Sequence, residues 1–438
     1  MADKTQIKDI LLDQAGDIPG ILAKCRVERL IEPELKSALA DTLVKVISGV
    51  RRCGKSVLAH RVLKGLPYGY VNFDDERLAD ITTADLNHVL EALLELTPGL
   101  KYILLDEIQN IEKWELFVAR LQRGGYKVII TGSNAHLLSR DLSTHLTGRH
   151  KVFEIYPFSF LEYLRARGIA APRGGLSTRA RAEMGAAFAD YFLAGGFPEL
   201  PGIVDKKSYL HDLYDKILTQ DIALRHGVRH VKTLKDIALY TANNYASRLS
   251  YQNIKDAYSL GSIHTVKNYL AYMQEAYLFF AVEAFSHKAR ERVRLPRKMY
   301  GIDAALLRSI SVSGQKNEGR LLENLVYLEL LRRKKQVLYY SDPQRKYEVD
   351  FVCRPGAGGA VELIQVCLEL NVAEVKEREL RGLQSALGVF KDVGAAGLTL
   401  LTFDRGAVEC VAGRRVNCVP VWEWLLNEAG TAGLPDQV

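Results

Sequence analysis

Two short motifs contain residue types that can do chemistry together: glycines, a lysine, a hydroxyl and two carboxylates. The first motif is Gly-Val-Arg-Arg-Cys-Gly-Lys-Ser at residues 49–56, and the second is Asp106-Glu107 at the end of an apolar run. Glycines let backbone N–H groups approach phosphate oxygens, and a lysine followed by a hydroxyl residue binds phosphates and a magnesium ion. The first motif therefore predicts a P-loop that binds ATP with Mg2+.

The elements that flank this loop support the prediction. A β-branched run, Val44–Ser48, precedes it and an amphipathic helical pattern, Val57–Leu66, follows it. This context separates a P-loop from a glycine-rich turn without a ligand, because the start of the helix directs N–H groups and its positive dipole end at the phosphates. Lys55 is predicted to bridge the β- and γ-phosphates, and the Ser56 hydroxyl to coordinate Mg2+. The predicted cradle consists of Gly49, Val50, Arg51, Arg52, Cys53, Gly54, Lys55, Ser56 and Val57.

The second motif follows the apolar run Tyr102–Leu105. Ligands of open α/β sheets bind at the carboxyl ends of the strands, so both acidic side chains are expected at the ligand-binding edge. Asp106 is predicted to complete the magnesium shell, and Glu107 to polarise the water that attacks the γ-phosphate. Without the P-loop, the alternative would be a solvated loop.

Polar and basic residues follow the next strand pattern, Val128–Thr131. Ser133 and Asn134 should lie at the same sheet edge, where either one can sense the γ-phosphate or hold the attacking water. Arg149 and Arg140 are candidates for an arginine that stabilises transition-state charge in a neighbouring subunit, and a surface role is the alternative for each.

A resemblance to a known family emerges from these motifs and others. GVRRCGKS, LLDEIQNI, ITGSNAHLL, LTGRH, EIYPFSFLEY and LAGGFPE occur in this order, followed by KMYGIDAAL, GRLLENLVYLEL and YEVDFV. The set resembles the bacterial and archaeal AAA-family ATPases that carry a C-terminal domain of unknown function. The resemblance implies an additional-strand, AAA-type fold and a homo-oligomer with ATP at its subunit interfaces, a hexameric ring among the candidates. It also makes Arg149 the better arginine-finger candidate.

The alternation of elements along the chain predicts several domains. Short β-rich runs alternate with helical stretches from about residue 40 to 155, as in a parallel sheet covered by helices. The predicted fold is α/β: an AAA-type P-loop NTPase core with a helical lid, then a winged helix and a small α/β restriction-endonuclease-like domain. The predicted boundaries are 1–40 for an N-terminal helical segment, 41–156 for the ATPase core, 157–228 for the lid, 229–305 for the winged helix and 306–438 for the last domain.

Composition limits the environment of the protein. The 438 residues include six cysteines without CxxC or zinc-ligand spacing, so a disulfide framework is not indicated and a reducing cytoplasm is expected. No apolar run approaches the roughly 20 residues of a membrane span, and the N-terminus does not resemble a signal peptide. The net charge of +7 permits a polyanionic partner without identifying one.

The segment 231–300 has the element order of a winged helix. Ser250 and Ser262 occupy expected helix N-caps, and Gly261 provides the turn before the third helix. The predicted major-groove residues are His264, Thr265, Lys267 and Asn268, and the predicted wing residues are Lys288, Arg290, Arg292, Arg294, Arg297 and Lys298. The arginines alternate at strand spacing, which predicts contacts with phosphates and DNA binding without sequence preference. A protein-interaction module is the alternative.

The C-terminal segment resembles restriction-endonuclease-like folds in the layout of Glu323, Asp350 and the strand that contains Gln365 and Cys367. Active members of that class need carboxylates for Mg2+ and a Glu-x-Lys step on the last strand. Here the step is Gln365-Val366-Cys367, so cleavage chemistry is predicted to be lost.

Together these features predict an oligomeric, Mg2+-dependent ATPase that couples ATP turnover to remodelling of, or translocation on, DNA. Two alternatives remain from the sequence. In one, ATP switches a signalling protein whose winged helix binds another protein. In the other, the protein is an ATP-dependent DNA nuclease.

Overall fold

The structure is a computed structural model in which two compact units are resolved. The N-terminal unit comprises residues 1–156 and 275–277, and the C-terminal unit comprises 157–274 and 278–438. The structure describes residues 3–24, 27–134, 148–172, 177–312, 317–342, 344, 346–354, 360–370, 373–404 and 406–427.

A parallel five-stranded sheet forms the centre of the N-terminal unit. Its strands are β1 (Val44–Ser48), β2 (Tyr68–Asn72), β3 (Tyr102–Asp106), β4 (Lys127–Gly132) and β5 (His150–Glu154). The spatial order is β2-β3-β4-β1-β5, and each neighbouring pair is parallel. One strand, β4, therefore separates the P-loop strand β1 from the Asp106 strand β3, which confirms the predicted AAA-type P-loop NTPase core.

Helices cover this sheet and exclude water from it. They are α1 (Lys4–Lys24), α2 (Glu32–Ala38), α3 (Lys55–Leu63), α4 (Leu86–Leu96) and α5 (Trp114–Arg123). The central strands are almost fully buried, which explains their continuous apolar runs, since parallel strands are covered on both faces. The first helix, α1, continues through Pro19 and Gly20.

The C-terminal unit begins with helices. They are α6 (Phe160–Ala166), α7 (Thr178–Ala194) and α8 (Lys206–Lys216), and α8 continues into a π-helix at Ile217–Leu224. Ser159 begins α6 with a capping box, in which its hydroxyl accepts from the backbone N–H of Glu162 while the Glu162 carboxylate accepts from the N–H of Ser159. These helices occupy the segment predicted as a helical lid, and the role of a lid remains a prediction.

The next elements follow the order predicted for residues 231–300. They are α9 (Val231–Asn243), β6 (Arg248–Leu249), α10 (Tyr251–Ala257), α11 (Ile263–Glu275), β7 (Phe279–Val282), α12 (Ala289–Arg294) and β8 (Arg297–Gly301). The three strands form a small antiparallel sheet in the order β6-β8-β7. Ser250 does precede α10, but its side chain makes no capping hydrogen bond.

A mixed six-stranded sheet completes the C-terminal unit. Its strands are β9 (Gln336–Ser341), β10 (Glu348–Arg354), β11 (Val361–Cys367), β12 (Val393–Thr402), β13 (Ala407–Val411) and β14 (Arg414–Pro420), in the order β13-β14-β12-β11-β10-β9. The helices of this part are α13 (Ala304–Ile310), α14 (Glu318–Arg332), α15 (Ala373–Val389) and α16 (Val421–Asn427). None of the helices in the described part of the chain is long and apolar enough to cross a membrane.

Candidate nucleotide site

The turn from β1 to α3 can be made only with glycine at two positions. Gly54 begins α3 with a φ of 94°, in the left-handed region that favours glycine. A Cβ atom on Gly49 would lie 2.2 Å from the Ile155 carbonyl oxygen, so any side chain there would push β1 and β5 apart. The two glycines bracket the loop that the sequence predicts as a phosphate cradle.

Lys55 lies at the first position of α3 and its side chain folds back over this loop. Its Nζ donates to the carbonyl oxygens of Gly49 and Val50, both at 3.2 Å, and lies 3.7 Å from Oε1 of Glu107. The lysine is buried although it is charged. The loop carbonyls and the Glu107 carboxylate thus hold the ammonium where the predicted phosphates would bind.

The hydroxyl of Ser56 and the carboxylate of Asp106 are joined directly. Ser56 Oγ donates to Asp106 Oδ1 at 3.0 Å, and Thr131 Oγ1 donates to the same oxygen. Burial, together with the neighbouring charge of Glu107, raises the pKa of Asp106 to about 6, although the two hydroxyl donors partly oppose that rise. A buried carboxylate with two hydroxyl neighbours is an oxygen-rich site of the kind that Mg2+ prefers.

Glu107 has an unusual backbone conformation that directs its side chain. Its φ of 51° lies in the left-handed region, which is uncommon for a residue with a side chain. Its N–H donates to Thr131 Oγ1 at 3.2 Å, and the amide of Gln109 donates to its carboxylate oxygen Oε2. These contacts hold the Glu107 side chain beside Lys55, where a water-polarising group is expected.

Ser133 and Asn134 follow β4, the strand that lies between β1 and β3. Both side chains are buried, and Ser133 Oγ has no hydrogen-bond partner among the described residues. The structure therefore places both residues at the carboxyl edge of the sheet that also bears the P-loop. Their role in sensing the γ-phosphate stays a prediction.

The remaining loop residues have different environments. Val50 and Cys53 are buried, and burial raises the pKa of the Cys53 thiol, so the group is neutral at physiological pH. Arg52 is exposed, with a φ of 67°. Arg51 and Val57 are half-buried.

Sequence reasoning missed Arg29, which lies between α1 and α2 and supports the loop from behind. Its guanidinium is buried and donates to the Cys53 carbonyl at 2.9 Å and to the Tyr156 carbonyl at 2.6 Å. Since a trans peptide points its C=O and N–H in opposite directions, fixing the Cys53 carbonyl directs the Gly54 N–H to the other side of the loop. No local motif identifies Arg29, because both of its partners are distant in sequence.

Tyr277 also belongs to the N-terminal unit. Its hydroxyl donates to Glu154 Oε1 at 3.0 Å and accepts from Ser48 Oγ. Ser48 immediately precedes Gly49, so this contact fixes the entry to the loop.

Arg149 lies at the amino ends of the parallel strands, whereas the P-loop lies at their carboxyl ends. Its carbonyl accepts from the N–H of Val44 at 2.9 Å, so it is beside the first residue of β1 whereas the P-loop follows the last. A five-residue strand spans about 16 Å. Arg149 is exposed, at the other end of β1 from the P-loop. Arg140 lies outside the described residues.

The predicted DNA-contacting residues of α11 are at its beginning. His264, Lys267 and Asn268 are exposed, and Thr265 is half-buried. The N–H of His264 donates to Ser262 Oγ at 3.1 Å, which fixes the start of the helix.

The prediction that arginines alternate along an extended wing is wrong. Residues 289–294 form the short helix α12, which contains the exposed residues Arg290, Arg292 and Arg294. Lys288 precedes this helix and lies 3.1 Å from Glu291. Alanine, arginine and glutamate favour helices, so local propensity explains the difference.

Two predicted wing residues have other partners. Arg297 donates to Glu283 at 2.8 Å. Lys298 is buried among carboxylates of the C-terminal unit, and its prediction as a DNA contact is wrong because its ammonium does not reach the surface.

Family models match three successive parts of the chain. Residues 41–164 match an AAA domain family, residues 185–317 match a domain of unknown function (DUF8612), and residues 318–420 match another (DUF4143). The uncharacterized protein MJ1544 of Methanocaldococcus jannaschii is 33% identical over 97% of this chain and 96% of its own length. An uncharacterized protein of Haemophilus influenzae is 30% identical over 75% of this chain and 83% of its own length.

Two solved structures are more distant. The Walker-type ATPase PABY2304 of Pyrococcus abyssi is 15% identical, with a TM-score of 0.42 over 64% of this chain and 94% of that chain. The Orc1 protein of Aeropyrum pernix in complex with DNA is 15% identical, with a TM-score of 0.32 over 68% of this chain and 96% of that chain. These low scores add nothing to the fold assignment made from the strand order.

Proposed function

The chain belongs to the family of its archaeal and bacterial relatives and contains an AAA domain, and on that premise we propose that it is an oligomeric, Mg2+-dependent ATPase whose turnover is coupled to DNA binding and to remodelling or translocation. One observation carries the proposal: Lys55, Ser56, Asp106 and Glu107 converge at one edge of a sheet with AAA strand order.

The roles of these residues follow from their chemistry. Lys55 binds the β- and γ-phosphates, and the oxygens of Ser56 and Asp106 hold Mg2+. When bound, Mg2+ neutralises phosphate charge and orients the phosphates. Glu107 accepts a proton from the attacking water, and its contact with Gln109 keeps the carboxylate in position. Ser133 or Asn134 orients the water or senses the γ-phosphate.

An oligomer is supported by the position of Arg149. The residue is exposed at the sheet edge opposite the P-loop, so it is suited to stabilise the transition state at a neighbouring subunit's site. This arrangement requires a heterologous interface, which closes into a ring when the rotation between subunits permits. A hexamer is one such ring.

DNA coupling is supported by residues 231–301. The helices α9, α10 and α11 and the sheet order β6-β8-β7 match a winged helix, with His264, Lys267 and Asn268 exposed at the start of the third helix. Exposed Arg290, Arg292 and Arg294 add positive charge nearby in sequence on α12. Such a surface binds phosphates without reading bases.

A second candidate function is an ATP-controlled switch that binds another protein. The observation that favours it is that fewer wing cations are available to DNA than the sequence predicted. Lys298 is buried, and Lys288 and Arg297 pair with Glu291 and Glu283. Fewer available cations mean fewer phosphate contacts and weaker binding to nucleic acid.

Steady-state ATP hydrolysis distinguishes the two functions. Turnover is measured in Mg2+ without DNA and with single-stranded, duplex and branched DNA at two salt concentrations, with Lys55→Ala as the blank. Stimulation by DNA that weakens as salt rises supports the motor. Turnover that no DNA changes contradicts DNA coupling and favours the switch, whereas turnover equal to that of Lys55→Ala contradicts the ATPase itself.

A further inference from the structure

Three residues at the end of α11 belong to the N-terminal unit, although the chain on both sides of them does not. The helix α11 lies in the C-terminal unit as far as Gln274, and the chain lies in that unit again from Leu278 onward. The residues between them, 275–277, are part of the N-terminal unit. They comprise the last residue of α11 and the turn before β7. The contacts of Tyr277 explain why this short segment departs from the unit that flanks it.

The hydroxyl of Tyr277 joins two strand ends. It donates to Glu154 Oε1 at 3.0 Å and accepts from Ser48 Oγ, so it links the last residue of β5 to the last residue of β1. The Tyr156 hydroxyl donates to the other carboxylate oxygen of Glu154 at 3.2 Å. Tyr277 and Ser48 are both buried, so water does not compete for the hydrogen bond between them. Loss of the Tyr277 hydroxyl would therefore take away the acceptor of the Ser48 hydroxyl.

Tyr277 also ends α11 in a conformation that usually requires glycine. Its φ of 57° is in the left-handed region, and the N–H of Leu278 donates to the Met273 carbonyl at 2.9 Å. This pattern is a Schellman motif, in which the left-handed position is most often glycine because a Cβ atom is disfavoured there. The Leu278 carbonyl accepts from the N–H of Ile302 at 3.1 Å, which ties the motif to the residue after β8. The position thus bears a tyrosine against the local backbone preference, and the side-chain contacts offset that cost.

Ser48 connects Tyr277 to the phosphate loop. It immediately precedes Gly49, whose carbonyl oxygen accepts from Lys55 Nζ at 3.2 Å. The Ser48 carbonyl accepts from the N–H of Ile155 at 2.8 Å, and a Cβ atom on Gly49 would lie 2.2 Å from the Ile155 carbonyl oxygen. The backbone at 48–49 is therefore closely packed, and a change in the contacts of Lys55 reaches Ser48 and its partner Tyr277.

We propose that Tyr277 is a positioning residue of the nucleotide site, and that binding of ATP is transmitted through it to the end of α11. The inference rests on the proposed binding of ATP at the loop. Phosphate oxygens compete with the Gly49 carbonyl for the Lys55 ammonium, so the nucleotide alters the contacts of the residue next to Ser48. Energetic coupling is reciprocal, so a ligand at the exposed start of α11 that displaces the end of this helix changes the affinity for ATP by the same factor.

Hydrogen exchange of the full chain tests this coupling without a ligand for α11. Exchange is followed in peptides that cover residues 49–56 and 273–282, in Mg2+, with and without a non-hydrolysable ATP analogue. The analogue should slow exchange in both peptides of the wild type, by about tenfold in the second, because a ligand stabilises the state that binds it. Tyr277→Phe keeps the ring but loses the hydroxyl, so the slowing in the second peptide should disappear while that in the first remains.

Two further variants separate the hydroxyl from the fold of the helix end. Tyr272→Phe is the matched control, because it removes a hydroxyl from the same helix, where the ring stacks on His226, and should keep the wild-type response. Tyr277→Gly favours the left-handed end of the helix but lacks the side chain, so it should lose the response as Tyr277→Phe does. A role of Tyr277 in the helix end alone would not produce this pattern.

Steady-state kinetics give a second readout. Tyr277→Phe and Ser48→Ala should each raise the KM for ATP by about fivefold and leave kcat within about twofold, because each weakens binding in the ground state and the transition state alike. The double variant should be no worse than either single variant, since both substitutions remove the same hydrogen bond.

Four results would overturn the inference. The first is a wild type in which the analogue slows exchange in the peptide 49–56 and leaves the peptide 273–282 unchanged. The second is a Tyr277→Phe protein that keeps the full response, and the third is a Tyr272→Phe protein that loses it. The fourth is full additivity of the KM effects of Tyr277→Phe and Ser48→Ala. A wild type without slowing in the first peptide does not bind the nucleotide, and the proposed function then fails together with the inference.

Discussion

Ser56 Oγ donates to Asp106 Oδ1 at 3.0 Å and so links the start of α3 to the end of β3. This hydrogen bond joins two motifs that are 50 residues apart in the sequence. Asp106 is buried, and burial together with the charge of Glu107 raises its pKa to about 6. In the nucleotide-free protein, the surroundings of Asp106 therefore disfavour the charged form of its carboxylate. A bound cation would offset this free-energy cost.

Asp106→Asn should stabilise the nucleotide-free protein at neutral pH. Because the folded-state pKa is raised from 3.8 to about 6, the folded protein binds this proton more tightly than the unfolded chain does. The contribution of Asp106 to the free energy of unfolding is thus fully present below about pH 4. It is lost as the pH rises to about 6. Above pH 6 the variant should be more stable than the wild type by about 2 to 3 kcal/mol, measured by denaturant unfolding.

The difference between the two proteins should vanish below pH 4, where Asp106 is protonated in both states. Ser56→Ala is a useful control, since it removes a hydroxyl donor and leaves the carboxylate. An Asp106→Asn protein that is less stable than the wild type at pH 7.5 would contradict the raised pKa.

Glu107→Gln should separate ATP binding from ATP turnover. The amide has nearly the same size as the carboxylate but cannot accept the proton of water, so the kcat should fall by about 10² to 10⁴. The affinity for ATP should stay within about twofold, since Lys55 and the loop are unchanged. Single-turnover hydrolysis and equilibrium binding of ATP test the two parts, and undiminished turnover would remove Glu107 from this role.

Local motifs explain why the sequence predicted so much of the site. The P-loop glycines, Lys55, Asp106 and Glu107 lie within short segments whose strand and loop context is readable, and β1, β3 and β4 agree to within one residue with the runs that predicted them. Arg29 could not be predicted, because its acceptors Cys53 and Tyr156 become neighbours only when β1 and β5 pair.

Tertiary contacts also account for the errors in the basic segment. The twelve residues 287–298 contain many cations, and composition alone cannot distinguish an exposed arginine from a buried lysine. The partners of Lys298 are on α14 and β10, which follow it in the chain. The alternation of arginines suggested a strand, but the Ala289–Arg294 stretch forms a helix for which its residue types have good propensity.

Arg29→Met should reduce the free energy of ATP binding by more than it reduces the free energy of unfolding. The substitution removes the donors to Cys53 and Tyr156, so the loop loses the contact that directs the Gly54 N–H. The dissociation constant for ATP should rise by about tenfold, equal to about 1.4 kcal/mol, which is the size of a hydrogen bond from a charged donor. Titration with a fluorescent ATP analogue measures this change.

Arg77→Met is the matched control for Arg29→Met. Arg77 is an exposed arginine of the same unit that pairs with Asp75 and Asp13, and its loss should leave ATP affinity unchanged. Arg29→Lys keeps the charge but not the fork of donors, so its affinity should lie between those of the wild type and Arg29→Met. If Arg29→Met lowers the thermal midpoint and leaves ATP affinity unchanged, the residue supports only the fold.

Arg149 should act on the nucleotide of a neighbouring subunit. Arg149→Ala keeps an intact P-loop but lacks the arginine, and Lys55→Ala keeps the arginine but lacks the P-loop lysine. Each variant alone should therefore be inactive, and the kcat of Arg149→Ala should fall by about 10³ or more. In a random equal mixture, an interface needs the P-loop of the first variant and the arginine of the second. This pairing occurs at about one quarter of the interfaces in a ring, so turnover should return to about a quarter of the wild-type rate.

The double variant Lys55→Ala/Arg149→Ala is the control for this mixture, because it supplies neither group and should restore nothing to Arg149→Ala. Subunit exchange is checked by mixing chains that carry different fluorophores. The position of Arg149 beside Val44, at the far end of β1 from the P-loop, excludes action within one chain. Exchange without any return of activity would therefore remove Arg149 from catalysis, and unchanged turnover by Arg149→Ala alone would do the same.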